Sequence, residues 1–87
     1  MIAKPTLPTI HMNGTSRADL LEANREAMGA VQVAMAAVCR AVPNGRDYYP
    51  QGSDAWKAAA AEHRARIVAL EKIEAELEAI ALHCIRS

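Results

Sequence analysis

Between Ser16 and Val42 the apolar positions of this chain advance in steps of three and four residues: Leu21, Asn24, Met28, Val31, Met35, Val38 and Val42. Such a step places every one of these side chains on a single stripe of a helix, a heptad seam with one polar member, Asn24. Ser16 stands where an N-cap belongs, with Asp19 three residues on in a capping-box pattern, and Pro43 ends the segment. A second stripe follows in Trp56, Ala59, His63, Ile67, Leu70, Ile73, Leu77, Ile80 and Cys84. This predicts a helix from Ser53 or Asp54, both good N-caps, to about Arg86. Glu62 and Arg66 are spaced i,i+4 in the favourable order. No alternating β-branched run competes with these helices. The pattern therefore predicts an all-α fold, an antiparallel helical hairpin over residues 16–87 with its loop at 43–52. Residues 1–15, where Pro5 and Pro8 exclude helix, form an extended N-terminal arm. The expected register sets Val42 against Trp56, Met35 against His63, Met28 against Leu70, and Leu21 against Leu77.

Two helices share one interface, and the first keeps a second flank of Leu20, Ala23, Ala27, Ala30, Ala34 and Ala37. Composition sharpens the point. The chain has 87 residues and is 52% hydrophobic, but 19 of its residues are Ala, which buries little area apiece. The expectation is a homo-oligomer in which hairpins assemble into a helix bundle. Leu7, Ile10 and Met12 of the arm are then available to lie across a neighbouring subunit.

Formal net charge is zero, which argues against bulk attraction to a nucleic-acid polymer. No stretch approaches the roughly 18 apolar residues of a membrane span, and the N-terminus lacks the apolar core of a signal peptide. The expected location is cytoplasmic. Cys39 and Cys84 fall at opposite ends of the hairpin, so both are expected to be reduced fillers. His11, His63 and His83 share no ligand spacing, and neither a phosphate loop, a nucleophile elbow nor a zinc motif is present. Neither a metal, a cofactor nor an enzymatic activity is expected.

All three aromatic residues, Tyr48, Tyr49 and Trp56, fall in or beside the loop "PNGRDYYPQG". From Met35 to Arg66, Arg40, Arg46, Lys57, Arg64 and Arg66 outnumber Asp47, Asp54 and Glu62, while after Ile67 acids prevail. Cations early in the second helix oppose its dipole, so local stability does not ask for them. The ligand-binding candidates are Arg46, Lys57 and Arg64 for phosphate, Tyr48, Tyr49 and Trp56 for stacking on a base, and Asn13, Asn44, Gln51 and His63 for hydrogen bonds. Asp47 completes the loop cluster. The blander readings stand beside these: the Tyr pair as a plug for the hairpin end, His63 as a core histidine, Asn24 as a register-setting residue and the charges as solvated surface.

The combination of "IHMNGT" before an Ala-rich helix, then "PNGRDYYPQG" and "AEHRAR", resembles small bacteriophage and prophage proteins over nearly the whole chain. In layout the chain is similar to the phage anti-CBASS and anti-Thoeris sponges. That resemblance implies an anti-defence protein of the infected bacterial cytoplasm that sequesters a nucleotide-derived immune signal without turnover. The alternatives are direct inhibition of a host defence protein, in the manner of an anti-CRISPR, and a structural module of a phage.

Overall fold

The computed structural model describes residues 4–87 of the chain. The first three residues of the expected arm lie outside it. The described residues form two α-helices and two short 3-10 turns: α1 spans Arg17–Arg40, Gly45–Asp47 and Tyr49–Gln51 make the turns, and α2 spans Ser53–Arg86. The 3-10 turns shorten the connection, so α2 folds back along α1 as a hairpin. The body is elongated, 61 × 20 × 17 Å.

α1 begins as its sequence dictates. The backbone N–H of Asp19 donates to Ser16 Oγ at 3.1 Å, which satisfies one of the unpaired donors of the first turn. The helix ends at Arg40, earlier than the seam suggested. Ala41 is its C-cap, with its N–H donating to the Val38 carbonyl. Val42 lies beyond the helix and is 63% exposed, so it does not pack on Trp56 as the expected register required. The physical reason is Pro43, which disfavours helical geometry at the residue before it.

The start of α2 also differs from expectation. Neither Ser53 nor Asp54 caps it; the N-cap is Gly52, and no side chain bonds to the first turn. Gly52 sits at φ 101°, ψ 163°, a conformation open essentially to glycine alone. Gly29 is the opposite case. It lies inside α1 with ordinary backbone angles, and a Cβ added there meets nothing within 4 Å. Gly29→Ala is expected to stabilise the hairpin by about 0.5–1 kcal/mol, the helix-propensity difference, read as a higher thermal midpoint.

α2 is 34 residues long and α1 is 24, so at a rise of about 1.5 Å per residue α2 outruns its partner by roughly 15 Å. The second 3-10 turn packs on the loop end of α2, and the arm packs on its last turns. His83 Nε2 lies 2.7 Å from the Pro8 carbonyl. A carbonyl only accepts, so Nε2 carries the hydrogen. Ser87 Oγ donates to the His83 carbonyl at 2.7 Å and closes the helix end. The fully buried Cys84 and the buried Ala81 lie in these last turns, next to the arm contact. The arm thus packs on its own hairpin through this contact. Leu7 and Met12 remain exposed and Ile10 is half-buried.

Elsewhere the seam is thin. No residue of α1 is buried, and the buried residues of α2 are Ala59, His63, Ala81 and Cys84. Ile73, placed on the seam by its spacing, is 43% exposed. Ile67, Leu70 and Leu77 are half-buried. Asn24 is satisfied within its own helix, Nδ2 donating to the Leu20 carbonyl at 2.8 Å, a local bond that does not by itself set a register. Cys39 is exposed and Cys84 buried, both as free thiols, so only Cys84 acts as core filler.

Candidate functional site

The tip of the hairpin is built by hydrogen bonds within a dozen residues. Asn44 caps the first 3-10 turn: its Oδ1 accepts from the Arg46 backbone N–H at 2.9 Å and from Arg46 Nε at 3.5 Å. The carboxamide oxygen of Asn44 is therefore engaged in holding the loop, and only its NH2 group is left for a ligand. The Tyr48 N–H donates to the Gly45 carbonyl, and those of Gln51 and Gly52 donate to the carbonyls of Tyr48 and Tyr49. Two consecutive 3-10 turns result, with Pro50 pre-setting the second.

These turns separate the two tyrosines. Tyr48 is half-buried at the junction of the turns, while Tyr49 is 74% exposed. Burial is what the plug reading asks of Tyr48, and exposure leaves Tyr49 open to the platform reading. Trp56, one turn into α2, is 42% exposed, and the backbone of Gly45 lies against its ring edge: a Cβ there would be 3.6 Å from Cδ1 and Nε1. Arg46, Asp47 and Gln51 are exposed around them.

Along α2, Lys57 and Arg64 are exposed cations without an ion-pair partner among the described residues. Where Arg66 meets Glu62, at 4.0 Å, the contact is solvent-exposed and adds little to stability. His63 is buried, 7% exposed, about two turns below Trp56. None of the fully enclosed side-chain N or O atoms among the described residues lacks a partner, and no hydrogen bond holds the His63 ring, so its nitrogens reach solvent at the edge of the seam. Asn13 is the outlier. It lies in the His11–Gly14 turn before α1, at the far end of the 61 Å body, and one chain does not bring it to the loop.

A feature the sequence reading missed sits at that far end. A cavity of about 400 Å³ is lined by Leu7, Pro8, Thr9, Ile10, Arg17, His83 and Ser87. The signal for it was present in the apolar residues of the Pro-bounded arm, which had to cover something. Among the described residues no three of His, Cys, Asp and Glu converge on a common point fit for a metal ion, and no helix is long and apolar enough to cross a membrane. Comparison with known protein families, curated proteins and solved structures gives no match to this chain.

Proposed function

We propose that this chain is a homo-oligomeric binding protein that sequesters a nucleotide-derived immune signalling molecule without turning it over, in the manner of a phage anti-defence protein acting in the bacterial cytoplasm. The observation that carries this reading is the exposure of Tyr49 and Trp56 at the loop end of the hairpin, where Arg46 is exposed as well. Exposing two of only three aromatic rings costs burial energy that a small hairpin can ill spare. Aromatic faces accept any base by stacking, and guanidinium binds phosphate through two hydrogen bonds. Lys57 and Arg64 extend the positive surface along α2. The oligomer covers the Ala flank that one hairpin leaves open.

One observation favours a second reading, direct docking on a host defence protein. Tyr49 stands on a convex tip, the geometry of an aromatic anchor that enters a pocket on a partner.

Thermal melting against a panel of cyclic dinucleotides and ADP-ribose derivatives separates the two. A true ligand at about 100 times its Kd stabilises by roughly 2.7 kcal/mol. In a domain of this size that raises the midpoint by roughly 10–20 °C. A panel without any shift removes the nucleotide reading and leaves the protein-docking one.

A further inference from the structure

We infer that the turn joining the arm to α1 is a site of spontaneous covalent modification. Asn13, followed by Gly14, cyclises and deamidates to aspartate and isoaspartate, while the same dipeptide at Asn44–Gly45 is protected by the fold of the loop. This goes beyond the binding reading above and does not depend on it.

The asparagines of the chain are Asn13, Asn24 and Asn44, and Gly follows the first and the last. Asn24 lies within α1, where helical hydrogen bonds fix the backbone. The reaction needs a carboxamide and the backbone nitrogen of the next residue, and glycine, having no Cβ, crowds that nitrogen least. The Gly14 nitrogen attacks Cγ of Asn13. The N–Cγ bond forms, the N–H proton passes to solvent, and the carboxamide nitrogen leaves as ammonia. One water then opens the succinimide ring. Cleavage of the new N–Cγ bond gives aspartate, and cleavage of the original bond to the Asn13 backbone carbonyl carbon gives isoaspartate. Neither an oxidant nor a reductant enters the balance.

Ring closure must bring the attacking nitrogen level with the Cβ of the asparagine. At Asn44 a ψ of 130° turns the Gly45 nitrogen away from that Cβ. A turn that holds the nitrogen elsewhere has to open first, so the cost of local opening decides which site reacts.

That cost differs between the two. The Asn13 turn is closed by the Gly14 N–H donating to the His11 carbonyl at 3.1 Å, and residues 11–19 are all exposed. The Asn13 carboxamide takes no part in this bond. At the loop, the Asn44 carboxamide oxygen accepts from the Arg46 N–H at 2.9 Å. The Asp47 N–H donates to the Asn44 carbonyl at 3.0 Å, and the Tyr48 N–H to the Gly45 carbonyl at 3.1 Å. The Trp56 ring also lies against Gly45. Each bond broken before the reaction slows it by roughly two- to tenfold. The two additional bonds at Asn44 therefore make Asn13 the faster site by roughly five- to 100-fold.

Conversion adds a negative charge to a chain of zero formal charge, just before Arg17 of the arm-end cavity. Isoaspartate also inserts a carbon into the main chain between the His83–Pro8 contact and the Ser16 cap. The link between arm and α1 is then longer than the one that sets the turn.

The test incubates the purified full chain in mildly alkaline buffer at physiological temperature, folded and in concentrated urea. Peptide mapping by mass spectrometry reads the exchange of NH2 for OH, and chromatography separates aspartate from isoaspartate. In the folded chain Asn13 should convert faster than Asn44 by at least about fivefold, and in urea the two rates should become comparable. With isotope-labelled water both products should carry the label. Asn13→Gln should abolish the modification there and leave the rate at Asn44 unchanged. It is a cleaner control than Gly14→Ala, whose Cβ would meet His11 Nε2 at 2.8 Å. An Asn44 that converts as fast as Asn13 in the folded chain overturns protection by the loop. An Asn13 that converts only in urea means that its turn shields it, and overturns the site. A preference for Asn13 that persists in urea belongs to the neighbouring sequence and overturns the structural basis.

Discussion

Tyr49→Ala is expected to weaken nucleotide binding by about 1–3 kcal/mol, the range for losing one stacked aromatic, which is roughly a five- to 150-fold rise in Kd. Because Tyr49 is 74% exposed in the free chain, the melting temperature without ligand should stay within a degree or two. Tyr49→Phe keeps the ring and should bind nearly as the parent does. Tyr48 behaves differently, since its side chain is half-buried between the 3-10 turns. Tyr48→Ala should lower the midpoint of the free protein, with any loss of binding following from a loosened loop. Isothermal titration and melting of the same four proteins provide the check. Equal melting losses for both alanine variants would mean that Tyr49 also plugs the hairpin, and an unchanged Kd in Tyr49→Ala would remove stacking from the proposed function.

The second large effect is expected at Gly52. Its φ of 101° with ψ of 163° lies where an L side chain meets its own backbone. A Cβ there meets nothing else within 4 Å, so crowding by neighbours does not enter. Gly52→Ala should therefore cost about 1–3 kcal/mol from backbone strain alone. For a domain of this size that is roughly 4–20 °C in thermal midpoint. Replacement of the same residue by D-alanine, introduced by chemical synthesis, should restore the midpoint, because the mirror-image residue favours positive φ. If Gly52→Ala melts with the parent protein, the turn into α2 has a relaxed alternative and does not fix the loop. The contrast with Gly29→Ala, expected to stabilise, uses one substitution type to separate strain from helix propensity.

Most of the hairpin follows from local rules that operate within a few residues. The steps of three and four wrote both helices, Ser16 wrote the start of α1, and the Asn44–Gly52 segment wrote a turn. The breadth of the helices was legible for the same reason, since periodicity needs no knowledge of distant contacts. Three particulars needed the tertiary structure. Ile73 has seam spacing yet stands 43% exposed, a difference that spacing alone does not register. Tyr48 and Tyr49 are adjacent and chemically identical, so only the path of the two 3-10 turns assigned one to the interior and one to solvent. Cys84 has stripe spacing and is fully buried, as periodicity expects, but the docking of the arm at that end of α2 depends on a segment some 75 residues away in sequence, tied by the His83–Pro8 hydrogen bond. Long-range contact of that kind leaves no periodic trace. Asn13 shows the limit most plainly: the sequence offers it as one more hydrogen-bonding group for the loop, and the length of the folded hairpin sets it at the other end.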